Sequence, residues 1–127
     1  MSSLILDAGA LLAVDRDDRA MIARLQVAAH AGLELRSNAM VVAQVWRDRR
    51  GRPVSLARLL RAVDVRAVNP SDGRDAGSLL GDVGTADAID ATVVLLGAPG
   101  DRILTSDPRD LARLAEAAGN GAVIVTC

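Results

Sequence analysis

The stretch Leu4-Ile5-Leu6-Asp7-Ala8-Gly9-Ala10-Leu11 decides the fold class of this chain. Its apolar residues have the pattern of a short buried strand, and an aspartate closes the run where a helix-compatible segment begins. In an α/β sheet, the carboxyl ends of parallel strands open onto a shared crevice in which ligands bind. We therefore expect the Asp7 carboxylate to face such a crevice, because its small neighbours leave room there. The alternative is that Asp7 only caps the following helix.

Strand and helix patterns alternate along the rest of the chain. The strands are predicted at residues 3–7, 33–35, 63–68, 102–105 and 122–126. The helices are predicted at residues 8–14, 19–30, 39–49, 55–62, 70–80, 85–96 and 107–118. This alternation is typical of a parallel sheet with helices on both faces. We therefore predict one α/β domain, residues 1–127, with a mainly parallel central sheet in a three-layer α/β/α sandwich.

The composition excludes several classes of function. The chain has no Phe and no Tyr, and Trp46 is its one aromatic residue, so stacking of bases on an aromatic platform is excluded. The single cysteine, Cys127, excludes an internal disulfide and a cysteine zinc site. All 15 cationic residues are arginines, whose planar guanidinium groups suit phosphate. We see neither a membrane-spanning run nor a signal peptide, and expect a cytoplasmic protein with no membrane partner.

Two later segments carry further aspartates. Asp87 and Asp90 lie on one face of a predicted helix because they are three residues apart. Complementation of the helix dipole explains Asp87, whereas Asp90 precedes an apolar run, where a charge needs a partner. Asp107 precedes Pro108 and suits a helix N-cap. We interpret Asp110 as first-turn dipole compensation.

Carboxylates gathered at one sheet edge would repel one another, and a divalent cation would relieve that repulsion. Asp7, Asp90 and Asp107 are the candidates for such a site. Oxygen ligands without histidine favour magnesium (Mg2+), with manganese (Mn2+) as the alternative ion. The set of acids therefore indicates metal-dependent phosphodiester chemistry.

Three segments together resemble the PIN-domain ribonucleases, with the closest match to the VapC-type toxins of type II toxin–antitoxin systems. They are Leu4-Ile5-Leu6-Asp7-Ala8-Gly9-Ala10-Leu11, Asp87-Ala88-Ile89-Asp90-Ala91-Thr92-Val93-Val94 and Leu104-Thr105-Ser106-Asp107. The resemblance extends over nearly the whole chain in motif order and spacing. It implies a PIN-like sandwich, a Mg2+-dependent endoribonuclease, a homodimer, and inhibition by a cognate antitoxin protein.

The family's acidic residues carry over onto individual positions of this sequence. Asp7 matches the first acid, Asp90 the third and Asp107 the fourth, so the resemblance implies that these three bind the metal. Asp87 is an additional acid that could replace or support Asp90. The second acid is usually a glutamate, but Gln44 occupies its position. Because an amide carries no charge, we expect weaker metal affinity.

The departure at Gln44 leaves a second function open, namely a catalytically weak or silent PIN domain that binds RNA or a protein. A group of arginines follows Gln44 at the predicted helix end: Arg47, Arg49, Arg50 and Arg52. These residues either complement the helix dipole or contact the RNA substrate or an acidic antitoxin segment.

Two other families also begin with a strand of this kind but fit less well. A haloacid-dehalogenase-type phosphatase needs a second aspartate two residues after the first, where this chain has Gly9. A dinucleotide-binding fold needs a glycine-rich turn directly after the first strand, whereas Gly77, Gly81 and Gly84 come late and are wrongly spaced.

Overall fold

The structure, a computed structural model, describes residues 2–47 and 54–127. Within these ranges the strands are β1 (Ser3–Leu6), β2 (Glu34–Asn38), β3 (Val63–Arg66), β4 (Arg102–Thr105) and β5 (Val123–Thr126). The helices are α1 (Ala8–Asp15), α2 (Arg19–His30), α3 (Ala39–Val45), α4 (Val54–Leu60), α5 (Pro70–Val83), α6 (Ala88–Val94) and α7 (Pro108–Ala118). The strands form a single sheet in the order β3-β2-β1-β4-β5, and every pair is parallel.

The strand order explains how the helices are distributed. From β1 the chain moves outward to β2 and β3, returns to β4 on the other side of β1, and continues to β5. Because parallel crossovers are right-handed, this change of direction places the two sets of helices on opposite faces. Accordingly, α1 packs on α2, α3 and α4, whereas α5, α6 and α7 pack on one another. The predicted three-layer α/β/α sandwich is confirmed, and the strand order reverses between β1 and β4.

The core is aliphatic and centres on the two middle strands. Ile5 and Leu6 of β1 and Ile103 and Leu104 of β4 are all fully buried. These strands are apolar on both faces because a helical layer covers each face. Truncating one such side chain to alanine costs about 2–5 kcal/mol, since it removes apolar contacts and leaves a cavity.

Several element boundaries match the sequence-based predictions. The structure has α2, β4 and α7 over the expected residues. Asp18 caps α2 as predicted, because its carboxylate accepts a 3.1 Å hydrogen bond from the Met21 N–H. None of the helices in the described ranges has the length and apolar character needed to cross a membrane.

Other boundaries were wrong. The second strand runs on to Asn38, and α3 ends at Val45 rather than near residue 49, because Trp46 leaves the helical conformation with φ −64° and ψ 122°. Gly81 lies inside α5 and not in a loop; the helix instead ends at Gly84, whose φ of 79° places it in the left-handed region that glycine favours. The sixth helix begins after Asp87 rather than at residue 85.

Candidate functional site

Asp7 and Asp107 follow β1 and β4, the two adjacent strands between which the strand order reverses. Asp7 directly follows β1, and Asp107 lies two residues beyond the end of β4, the neighbouring strand. The Asp7 N–H donates to the Leu104 carbonyl at 3.1 Å and so extends the ladder by one residue. In open α/β sheets the crevice at this reversal is where ligands bind.

Three carboxylates converge near that crevice. Ligand oxygens of Asp90, Asp107 and Asp110 all lie within 4.8 Å of one another. Asp90 is buried, with 8% of its surface exposed, whereas the other two face solvent. Such a set of hard oxygen atoms fits a Mg2+ or Mn2+ ion. Asp7 is not one of the three, and its carboxylate is buried against β4.

Thr105 joins Asp7 to the segment that carries Asp107. Its hydroxyl donates to Asp7 Oδ2 at 2.7 Å, and its oxygen accepts from the Asp107 N–H at 2.9 Å. Thr105 is fully buried, so this linkage is shielded from water. Neither aspartate side chain caps the helix that it precedes. Both carboxylates are therefore free of the capping role that was the alternative interpretation of each.

Asp87 has a different role from Asp90. The Asp87 carboxylate caps α6 by accepting a 3.0 Å hydrogen bond from the Asp90 N–H, and its side chain is exposed. This agrees with dipole complementation, the interpretation given to Asp87. Asp90 lies in the first turn of α6, on the side that faces the other acids.

Two of the acids, Asp90 and Asp107, have raised pKa values. Burial raises the pKa of Asp90 to about 7, and the negative charges of Asp87, Asp7, Asp107 and Asp110 add to the effect. Desolvation also raises the pKa of Asp107, with the adjacent Asp110 contributing. A bound cation would stabilise the ionised carboxylates and reverse these shifts. The electrostatics therefore fit a cation site.

Gly9 allows the first helix to approach the loop after β4. A Cβ atom at Gly9 would lie 2.6 Å from Ser106 Oγ and 3.1 Å from the Ser106 backbone nitrogen. Any larger residue would push this loop away, and Asp107 follows Ser106 directly. Gly9, two residues after Asp7, thus helps to bring the two motif segments together.

The remaining candidates lie away from these contacts or outside the described ranges. Gln44 is exposed on α3. Arg47 donates through Nη1 to the carbonyls of Ala43 at 3.1 Å and Trp46 at 2.8 Å, so it complements the end of α3. The other three arginines of the group, Arg49, Arg50 and Arg52, lie outside the described residues.

Two residues of the site were not identified from the sequence. Asp110 was interpreted as dipole compensation; it does lie in the first turn of α7, but its carboxylate also joins Asp90 and Asp107. Its spacing of one helical turn from Asp107 was the available signal. Thr105 was quoted within a motif without a role. Its partner Asp7 is 98 residues away, and no local pattern reveals that pairing.

A solved structure shares this fold. A chain in the crystal structure of VapBC2 from Rickettsia felis, bound to a DNA fragment from their promoter, superposes with a TM-score of 0.70. The alignment covers 98% of both chains at 11% sequence identity, so the likeness is one of fold. The fold is PIN-like. No protein-family model matches the sequence, and no curated protein matches it either.

Proposed function

We propose that this protein is a metal-dependent endoribonuclease that acts as the toxin of a toxin–antitoxin pair, with residues 1–127 forming one PIN-like domain. One observation carries the proposal. The acids of three separate motif segments, Asp7, Asp90 and Asp107, gather at the carboxyl ends of the strands, where the strand order reverses between β1 and β4. The PIN-like fold and the motif resemblance both support RNA as the substrate.

Asp90 and Asp107 would hold the cation, and Asp110 would provide a third ligand, since the oxygens of the three lie within 4.8 Å of one another. Asp7 would add a further negative charge close to Asp90. Magnesium or manganese bound there would supply a Lewis acid for the phosphodiester and a means of activating water. Asp7 itself is oriented by the Thr105 hydroxyl, which holds its carboxylate toward β4. The buried position of Asp90 strengthens its interaction with any cation, because water screens it less.

The partners follow from the same proposal. We propose that a cognate antitoxin covers the acidic crevice and that the protein is a cytoplasmic homodimer. The likeness to a chain of a VapBC2 complex supports an antitoxin partner. Met40 and Trp46 of the α3 region are 41% and 37% exposed, and apolar side chains of this size are suited to a protein interface.

RNA cleavage in the presence of Mg2+ tests the proposal. The purified protein should cut RNA with Mg2+ and not with EDTA, and Asp7→Asn and Asp107→Asn should each abolish cutting. Glu116→Gln is the matched control, because Glu116 is an exposed acid near the other end of α7. Undiminished cleavage by the Asp7 and Asp107 variants would refute the assigned roles.

Gln44 supports a second candidate, a PIN-like domain that binds RNA or protein without cutting. A neutral amide stands where the resemblance expects a charged glutamate, and it lies exposed on α3. If the site has lost activity, Gln44→Glu should sharply raise both Mg2+ affinity and cleavage. Efficient cleavage by the unmodified protein would exclude the silent alternative.

A further inference from the structure

A row of polar residues crosses the sheet at the carboxyl ends of four adjacent strands. Asn38 of β2 pairs with Arg66 of β3. The β1 register, extended by two residues toward β2 and by one toward β4, aligns Asp7 with Asn38 on one side and with Thr105 on the other. Aligned residues of parallel strands point to the same face, and adjacent strands are about 4.8 Å apart. Arg66 therefore starts about 10 Å from Asp7, on the same face of the sheet.

A cavity opens beside the Arg66 end of this row. Its volume is about 360 Å³, and it lies between the ends of β2 and β3 and the helices α5 and α6. Such a volume is in the range of small-ligand sites. Leu95, 39% exposed, and Leu96 give it an apolar wall, and Thr92 of α6 connects it to the helix that carries Asp90. The cavity and the acidic site therefore share α6, which contributes Thr92 to one and Asp90 to the other.

The polar walls of the cavity are rigid. Asn38 is 1% exposed; its Oδ1 accepts from the Met40 and Val41 N–H groups, and its Nδ2 donates to Thr92 Oγ1 at 3.0 Å. Because these bonds fix both ends of the amide, Asn38 presents a constant surface to a ligand. A preorganised wall of this kind lowers the entropy lost on binding.

The α5 side of the cavity is unsuited to phosphate. Asn69 and Asp72 form a reciprocal capping box, in which each side chain binds the other residue's N–H at 2.8 and 2.9 Å. The box occupies two of the backbone donors that an anion would need, and the Asp72 carboxylate adds repulsion. A neutral group such as a nucleobase is therefore favoured on this side.

Arg66 provides the cationic group at the mouth of the cavity. Its Nε donates to Asp64 Oδ2 at 2.7 Å, while the side chain stays 51% exposed. Within the described ranges, no hydrogen bond engages its terminal nitrogens. Asp64 also lies 3.7 Å from Arg36, which steadies it from the sheet side. One edge of the guanidinium is thereby oriented by Asp64, and the other remains available to a phosphate oxygen.

We propose that this cavity is a nucleotide subsite for single-stranded RNA. A base enters it against Leu95, and Arg66 contacts the adjoining phosphate, so that the next phosphodiester reaches the acids around Asp90. Single-stranded RNA is the fitting class because its unstacked bases can enter a pocket. The choice of RNA as the ligand rests on the proposed function. The subsite adds to that function a feature that selects which nucleotide is accepted.

Binding without cleavage tests the subsite separately from the chemistry. The probe is a fluorescein-labelled single-stranded RNA hexamer of mixed sequence, and its anisotropy is measured in EDTA at several salt concentrations. The variants are Arg66→Ala, which removes the cation, and Ala67→Leu, which narrows the cavity that Ala67 also lines. The matched control is Arg102→Ala, because Arg102 is an exposed arginine at the opposite end of the sheet.

Each variant has its own expected signature. Arg66→Ala should weaken binding about tenfold and lower the salt slope by about 0.7, the value for one phosphate contact on a single strand. Ala67→Leu should weaken binding at least about threefold and leave the salt slope unchanged, since it alters shape and not charge. Arg102→Ala should change affinity less than about twofold, because Arg102 lies at the amino end of β4, away from the subsite.

The outcomes separate the subsite from the nuclease. Arg66-dependent binding in a protein that never cuts RNA with Mg2+ would support the subsite and refute the nuclease. Cleavage with Mg2+, together with equal RNA affinity for unmodified protein, Arg66→Ala and Ala67→Leu, would overturn the subsite and leave the nuclease intact. An equal loss in Arg102→Ala, or no RNA binding by the unmodified protein, would also overturn the subsite.

Discussion

Two buried aspartates at opposite ends of the sheet show how differently the same side chain can be accommodated. Asp101, 4% exposed, precedes β4; its Oδ1 accepts from the Ser3 N–H at 2.8 Å and its Oδ2 from the Ala98 N–H at 3.0 Å. Asp90, 8% exposed, lies at the carboxyl end among other acids. Within the described ranges, no donor reaches its carboxylate. Burial alone therefore does not mark a functional acid, because Asp101 is at least as buried as Asp90 and has a backbone donor on each carboxylate oxygen.

The two ends of the sheet contribute to stability in opposite ways. At the amino end, Asp101 joins the start of β1 to the turn before β4, and its charge is compensated by backbone donors. At the carboxyl end, the gathered acids repel one another and are desolvated, as the raised pKa of Asp90 indicates. Sites that bind ligands commonly trade stability for function in this way. A bound cation would neutralise the repelling carboxylates at the carboxyl end and so stabilise the folded protein.

The largest expected effect is on activity. Asp90→Asn should lower RNA cleavage by at least about a hundredfold, since it removes a charge that would hold the cation. Asp101→Asn should leave the turnover of the folded fraction within about twofold of the unmodified protein, because its donors lie at the other end. Cleavage rates per active molecule, corrected for folded fraction, provide the measurement. Equal losses in the two variants would remove the distinction between the ends.

The second effect is a pH dependence of stability that Asp90 produces at the carboxyl end. The pKa of Asp90 is raised from 3.8 to about 7, so the folded protein holds this proton more tightly than the unfolded chain. The metal-free protein should therefore lose stability as pH rises from about 4 through about 7. The loss is on the order of 2–4 kcal/mol, since one pKa unit corresponds to about 1.4 kcal/mol.

Urea unfolding in EDTA at a series of pH values measures this loss. Asp90→Asn should flatten the dependence, and Mg2+ should restore stability to the unmodified protein at pH 8 by binding the ionised carboxylates. A stability that rises between pH 4 and 7 in the metal-free protein would contradict the raised pKa.

The third effect is a change of sign between two matched substitutions. In EDTA at pH 8, Asp101→Asn should destabilise the protein by about 1–3 kcal/mol, because an amide nitrogen would face one of the backbone donors. Asp90→Asn should stabilise it by roughly 1 kcal/mol or more, because a desolvated and repelled charge is removed. Chemical denaturation of both variants gives the two values. Destabilisation of similar size in both variants would mean that the Asp90 carboxylate is stabilised by hydrogen bonds, as the Asp101 carboxylate is.

These contrasts also mark the limit of inference from sequence. The ends of α2, β4 and α7 were predictable because local signals specify them: the Asp18 cap, an apolar run, and Pro108 in the first turn. The position of Asp7 at the end of β1 was likewise predictable, because an apolar run directly precedes it. The end of α3 was not predictable, because it depends on Trp46 adopting an extended conformation.

Long-range contacts account for the rest of the site. Ser3 binds Asp101, and Asp7 binds Thr105, in each case across 98 residues. Asp101 precedes a predicted strand, whereas Asp7 and Asp107 follow one, but no local pattern shows that Asp101 binds the Ser3 N–H. Spacing identified Asp90 and Asp107 because a resemblance supplied the pattern. Strand order decides which acids receive hydrogen bonds from backbone donors and which do not. That order is known only from the structure.

The last expected effect concerns Thr105. Thr105→Val removes a fully buried hydroxyl that bonds both Asp7 and the Asp107 backbone, and should cost about 1–3 kcal/mol in stability along with part of the activity. Thr105→Ser keeps the hydroxyl and should recover most of the activity. Cleavage assays on both variants, at equal folded fraction, test this. If Thr105→Ser is as impaired as Thr105→Val, the methyl group and not the hydroxyl is what matters.

Diffraction from crystals of the protein soaked in Mn2+ addresses the cation most directly, because the ion has an anomalous signal of its own. We expect an anomalous peak at coordination distance from the Asp90 and Asp107 carboxylates, and none at Asp101, which is equally buried but already hydrogen-bonded. A map with no peak beside Asp90, or with its peak elsewhere on the molecule, would contradict the account of the carboxyl end as a metal site.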